Sequence, residues 1–213
     1  MTDRDHSTCS REIIRLGTAH AAQARDILPK AFSDDPMFRH LFPGAKRSVH
    51  IGHFFSFLFH KSLLLQEMLI GVQEQGTLRG AACVELPTSY KDAGFLAKAR
   101  FLCRAIGLLC QVPPRSFALI NEYMRLTTSV RPSVPHHYLV FVGVDPEHQG
   151  TGLGKLLLNE IHALADADPT SAGIGLDTEN EDNVLLYERF GYRLVEKRKL
   201  GAVTIYCMFR PRP

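Results

Sequence analysis

The chain lacks the cysteine pattern of a disulfide-framed protein. Its five cysteines, Cys9, Cys83, Cys103, Cys110 and Cys207, are odd in number, and no Cys-x-x-Cys occurs. A stapled secreted scaffold is therefore excluded, and a reducing cytoplasm is the expected location. It also lacks a long run of one charge. The net charge is +3 and the densest basic cluster is Lys197-Arg198-Lys199, which reads as a solvated strand edge. A general nucleic-acid surface is not expected from that. The start, Met1 to Arg11, is polar and mixed in charge, with no apolar stretch, so a signal peptide is not expected there. Uninterrupted membrane-length apolar runs are missing too. His53 to Ile70 carries His60, Lys61, Gln66 and Glu67, and Phe95 to Val112 carries Lys98, Arg100 and Arg104. Charges at those intervals suit amphipathic helices rather than spanning ones, so no membrane partner is expected. No internal repeat or low-complexity tract is present.

What is there is one good-sized core. The chain has 213 residues and is 45% hydrophobic, which fits a single domain over 11–213 behind a flexible start at 1–10. Glu12 to Arg15 reads as a strand. Thr18 reads as the cap of a helix to about Phe32, and Asp34-Asp35-Pro36 breaks it. Val49 to Glu67 has the pattern of a second helix. Met68 to Gln73 and Gly80 to Leu86 read as a hairpin. Asp92 to Gln111 and Ser116 to Thr127 are helical, and Pro113-Pro114 separates them. His137 to Val144 is a nearly continuous apolar strand, and Gly152 to Ala167 a helix with Leu153, Leu157, Ile161 and Leu164 on one stripe. Gly173 to Asp177 is a strand, Glu181 to Phe190 a helix, and Tyr192 to Phe209 a closing hairpin around Gly201. The order is mixed α and β, with one central βαβ unit.

Chemistry enters at Gln149-Gly150-Thr151-Gly152-Leu153-Gly154-Lys155. A helix start leaves its first amides unpartnered and is the positive end of the helix dipole. A strand feeding such a start through glycines is a ready anion site, and glycine lets the backbone approach a phosphate closely. Glycine-rich turns also occur simply to pack a helix on a sheet, so the anion must be argued further. A Walker A loop fails twice, because Leu156 stands where Ser or Thr is needed and Gln149 where the first glycine is needed. A dinucleotide fingerprint has Lys155 at its third glycine, although Asp177 downstream could serve as its ribose-binding acid.

The remaining pattern, Gln/Arg-x-x-Gly-x-Gly/Ala after Val142-Gly143-Val144-Asp145-Pro146, resembles the loop of the GCN5-related N-acetyltransferase (GNAT) superfamily. A second match follows in order. Asn180 to Tyr192 resembles that superfamily's Asn-rich turn and Tyr-Glu-x-x-Gly-Phe helix end. Within it, Phe141 to Val144, His148-Gln149-Gly150, Leu186 to Arg189 and Ala31 to Pro36 are similar to puromycin N-acetyltransferase and its relatives. The middle, Tyr90 to Pro135, is not similar to them, so puromycin itself is not implied.

The resemblance implies an α+β fold. Its centre is a mostly antiparallel, splayed sheet of about six to seven strands flanked by helices, with a βαβ acetyl-CoA-binding unit. Residues 16–135 would form the acceptor side and 136–209 the acetyl-CoA core. It implies an acyltransferase in which an amine attacks the thioester of acetyl-CoA directly. The co-substrate would be held by Val142, Gly143, Val144, Gln149, Gly150, Thr151, Gly152, Leu153, Gly154, Lys155, Asn180 and Asn183. Tyr187 matches the superfamily's general acid; the plainer reading is an aromatic packing the last helix. Phe32, Asp35 and His137 are the candidates for the acceptor side. The base is open. Glu85 and Glu122 are candidates, each more readily read as a solvated surface acid than as a base, and His136 or His137 could relay a proton.

Other groupings carry less. His50, His53 and His60 share a helix face but lack a further ligand at metal spacing, so no metal is expected. Cys83 and Cys207 sit in strand patterns as small core residues. The expected acceptor is a primary amine on a small molecule. A protein terminus or lysine is the alternative, and so is a CoA-binding regulatory module without chemistry. A homodimer through the closing hairpin is a further expectation.

Overall fold

The computed structural model describes residues 11–88 and 94–213. The expectation of a flexible start at 1–10, Cys9, and the helix start at Asp92 lie outside the described residues.

Seven strands form one sheet in the order β1-β2-β3-β4-β5-β7-β6. The chain enters at β1 (Arg11–Arg15), followed by α1 (Ala21–Ala31), α2 (Pro36–Leu41) and α3 (Arg47–Leu64). The hairpin β2 (Met68–Glu74) and β3 (Thr77–Glu85) precedes α4 (Phe95–Leu109) and α5 (Pro114–Thr128). Then come β4 (His137–Val144), α6 (Leu153–Ala167), β5 (Gly173–Thr178), α7 (Glu181–Arg189), β6 (Arg193–Leu200) and β7 (Val203–Pro211). All neighbours are antiparallel except β4 and β5. This is the expected mixed fold, with β4-α6-β5 as its βαβ unit.

Local chemistry changes two of the expected elements. Thr18 does not cap the first helix. It lies in a short 3-10 turn (Thr18–His20), where the Gly17 amide donates to His20 Nδ1 at 3.0 Å. Asp35-Pro36 does end α1, but the same pair begins α2, a helix the apolar pattern did not reveal. The Asp35 carboxylate caps it by accepting from the amides of Met37 (2.8 Å) and Phe38 (3.2 Å), and Pro36 takes the first helical position, where no donor is needed.

The sheet buries both faces. Helices α1, α2, α3 and α5 cover one, through residues such as Phe38, Phe55, Ile120 and Phe141. Helices α6 and α7 cover the other, through Leu153, Leu157, Ile161 and Tyr187 against Leu139, Ile174 and Leu176. Gly143 in β4 shows how tightly α1 sits. A Cβ there would meet Phe32 Cε2 at 2.8 Å and Leu28 Cδ2 at 3.0 Å.

One irregularity prepares the site. Strand β4 pairs with β5 at only three positions, His137↔Ile174, Tyr138↔Gly175 and Leu139↔Leu176. It continues to Val144 on β3 alone, with a register shift that leaves Val140 without an opposite residue. Beyond Leu139 the parallel strands diverge. Alternate peptide groups of a strand face opposite neighbours, so those of Val140 to Val144 that turn toward β5 line an open wedge.

Candidate active site

The donor side is built where β4 ends. Asp145 accepts the Glu147 amide and starts a short 3-10 turn (Pro146–His148), which redirects the chain into the glycine loop. Gly150 and Gly152 have φ of 75° and 91°, a region that favours glycine, and no atom lies within 4 Å of a Cβ built at either. The loop is tied at three points. Gln149 Nε2 donates to Val144 O (3.1 Å), Thr151 Oγ1 to His148 O (2.7 Å), and Arg11 Nη1 to Thr151 O (2.9 Å). Leu153 is buried and anchors the helix start, while Lys155 is exposed. The Leu156 amide closes the first full helical turn on Gly152 O at 3.0 Å. The amides ahead of it point out of the helix end, beside the Lys155 cation. An anion with several oxygens fits this cradle.

Across the wedge stands α7. Asn180 caps it by accepting from the Asp182 amide (3.1 Å), and Asn183 Nδ2 donates to Thr178 Oγ1 (3.3 Å). In this structure both asparagines shape the turn that aims α7. Tyr187 is buried, edge-on to Tyr192 with ring centroids 5.5 Å apart. Burial, then the nearby charges of Glu179 and Asp177, push its hydroxyl pKa up, so it holds its proton at neutral pH.

The floor of the wedge holds residues the sequence reading undervalued. Asp177 is the first residue of β5 beyond its last pairing with β4, and Glu179 follows just after the strand ends at Thr178. Both carboxylates are raised. Burial is the main cause for each, reinforced at Asp177 by Glu85 and at Glu179 by Asp177 and Asp35. Tyr123 of α5 reaches in, its hydroxyl donating to Glu179 Oε1 at 2.9 Å. From sequence alone Asp177 reads only as a ribose-binding acid. The available signal was a pair of acids, two apart, closing an apolar strand just before the Asn180 turn.

The expected base residues fall elsewhere. Glu85 is at the site, but Lys61 holds its Oε1 at 2.7 Å and Arg131 its Oε2 at 2.8 Å. Burial alone would raise its pKa; those two cations more than offset that and lower it. Glu122 is exposed on the outer face of α5, and the next residue, Tyr123, is the one facing inward. One helical step of about 100° separates the two readings. Asp35 is near the pocket, with its carboxylate spent on capping and its pKa raised by burial. Phe32 packs on Phe55 (centroids 4.8 Å) and against Gly143, beside the wedge. His137 is at the closed end of the β4–β5 pair. It is 2% exposed, bonded through Nδ1 to Ser171 Oγ at 2.8 Å, and its pKa is lowered by burial. The acceptor side and His137 are therefore not brought together.

Among the described residues, Asp145, Glu147 and His148 have ligand atoms within 4.8 Å of one another. Asp145 already accepts the Glu147 amide and lies 3.8 Å from Arg79 Nη1.

Residues 118–194 match the family model described as an acetyltransferase (GNAT) domain. That span contains Tyr123, the glycine loop, Asp177, Glu179 and Tyr187. Among solved structures, the chain is similar to the histone acetyltransferase HPA2 and related acetyltransferase of Corynebacterium glutamicum. The identity is 21% and the TM-score 0.68, over 96% of this chain and 97% of that one. It is similar to the PaiA N-acetyltransferase of Thermoplasma acidophilum, solved in complex with coenzyme A, at 13% identity and a TM-score of 0.59, over 95% and 99%. It is also similar to a GNAT-family acetyltransferase of Streptococcus pneumoniae, at 14% and 0.54, over 96% and 100%. No curated protein matches the chain. At these identities the likeness is one of fold. Residues 118–194 thus match an acetyltransferase (GNAT) domain, and the chain as a whole shares the fold of these acetyltransferases.

Proposed function

We propose that the protein transfers acetyl from acetyl-CoA to a primary amine of a small molecule, by direct attack in a ternary complex. The observation that carries this reading is the placement of Asp177 and Glu179. They are raised carboxylates in the wedge whose other strand leads into the anion cradle. The cradle residues suit the co-substrate: the amides of Gly150 to Lys155 would hold its pyrophosphate, and the free peptide edge of Val142 to Val144 its pantetheine arm. Acetyl-CoA supplies the activated carbonyl.

The chain's own residues then divide the proton work. An incoming ammonium is attracted to two acids that, unlike Glu85, pair with no cation among the described residues. An ordinary carboxylate is a poor base for an amine whose pKa is about 10. Raising the carboxylate pKa narrows that gap, which is the condition for useful base catalysis near neutrality. The Asp177–Glu179 pair takes the amine's proton, so that nitrogen can form its bond to the carbonyl carbon. Tyr187 gives its proton to sulfur as the carbon–sulfur bond breaks.

The half-buried setting of Asp177 and Glu179 favours a compact acceptor over a peptide chain. One relative carries the name of a histone acetyltransferase, so peptides with a free terminus or lysine belong in the test. The test follows free thiol release from acetyl-CoA over small amines and such peptides, beside thermal shifts with CoA, NAD and ATP. Turnover of small amines is expected. Turnover of peptides alone would move the acceptor to proteins. Stabilisation by CoA without any turnover would make the protein a binding module, and stabilisation by NAD instead of CoA would overturn the donor.

A further inference from the structure

Among the described residues, nothing covers the apolar stripe of helix α4. Phe95, Leu96, Leu102, Ile106 and Leu109 are 83%, 70%, 59%, 53% and 40% exposed. Their spacing puts them on one side of the helix, while Leu108 faces inward and Phe101 stacks on Phe57 of α3. The stripe has cationic borders. On a helical wheel Lys98 lies along one edge, and the exposed Arg100 and Arg104 lie along the other. Neither α4 nor α3, the helix it rests on, contains a single Asp or Glu.

We infer that α4 docks in the plane of an anionic lipid surface. Apolar side chains flanked on both edges by basic ones match the boundary between acyl chains and phosphates. No helix among the described residues is long and apolar enough to cross a membrane, so this is attachment at the surface. It departs from the expectation of no membrane partner. A second copy is a poorer occupant. Two such stripes brought together would face basic borders to basic borders with no acid on either α3 or α4 to pair them. The inference stands on α4 alone and does not depend on the acetyl acceptor.

The chain contains no tryptophan, so Phe95→Trp gives a single reporter on the stripe. Its emission should shift to the blue with vesicles of phosphatidylcholine plus phosphatidylglycerol, and not with phosphatidylcholine alone. High salt should reverse the shift. Co-sedimentation of the otherwise unchanged chain should weaken on the order of a hundredfold in Leu102→Ser/Ile106→Ser. Each of Arg100→Gln and Arg104→Gln should weaken it about fivefold. All four positions are on the surface, so the fold is retained. Absence of binding to anionic vesicles, or equal binding to neutral ones, would overturn the inference. So would light scattering that shows a dimer which the double serine variant converts to monomer, without vesicle binding.

Discussion

Removing one hydroxyl should move the pH dependence of the reaction without removing the reaction. In Tyr123→Phe the ring stays in place and Glu179 Oε1 loses a donor at 2.9 Å. A hydrogen bond to an ionised group contributes about 1.5–3 kcal/mol and one to a neutral group about 0.5–1.5 kcal/mol. The variant therefore disfavours the ionised carboxylate by about 1–1.5 kcal/mol relative to the protonated one. At 1.36 kcal/mol per unit, that raises the pKa by about one. The base acts when ionised, so activity rises with pH, and a higher pKa displaces the rise to higher pH. The acidic limb of kcat/KM, followed by thiol release, should move up by about one unit, with the plateau nearly restored at high pH. Because Asp177 and Glu179 interact, the limb belongs to the pair rather than to one carboxyl. An unmoved limb would show that Glu179 does not take part in the titration. A uniform loss at every pH would make Tyr123 a residue that positions the acceptor. Either result refutes the proton assignment.

Three further changes probe the rest of the site. Tyr187→Phe should lower kcat on the order of a hundredfold, while calorimetry finds acetyl-CoA binding unchanged; matched losses in both would assign the ring to packing instead. Gly152→Ala meets no atom, so its cost is that of holding alanine at φ 91°, about 1–2 kcal/mol. Acetyl-CoA should then bind about tenfold more weakly, and an unaltered Kd would mean that this turn does not form the cradle. Lys61→Met leaves the buried Glu67 carboxylate, which Lys61 holds at 2.7 Å, with neutral partners only. A loss of about 3–5 kcal/mol is expected, read as a Tm fall of roughly 10 °C or more. Glu67→Gln in the same chain should recover most of it, and failure to recover would exclude a stranded charge as the cause.

The donor half of the site was legible because it is local. Gly150, Gly152 and the buried Leu153 act within one strand-to-helix turn, and the strand, the glycines and the apolar stripe are contiguous in the chain. The acceptor half was not, because it is assembled from distant segments. Tyr123 meets Glu179 across 56 residues, and Glu85 meets Arg131 across 46. Composition gives no register for such meetings. Glu122 faces outward and its neighbour Tyr123 inward, a difference of helical phase that composition does not reveal. The choice of His137 was an error of direction along β4, since the strand's start is where the sheet is closed. Helix α2 was hidden because Asp-Pro both stops one helix and starts another.

The fold also explains why three neighbouring acids cannot share one role. The charge of Glu85 acts on Asp177 and that of Asp177 on Glu179, and burial pushes all three carboxyls upward. Glu85 alone is answered. Lys61 bridges it to Glu67, and Arg131 holds its other oxygen while lying 3.3 Å over the Tyr138 ring. That alternating row of charges fixes Glu85 as a permanent anion at the end of β3. A permanent anion cannot accept a proton usefully near neutrality, but it can raise the pKa of the acid beside it. Asp177 is that acid. The proposed base therefore owes its raised pKa to two contributions from outside β5: burial, and a neighbour whose own negative charge is locked in place by Lys61 and Arg131.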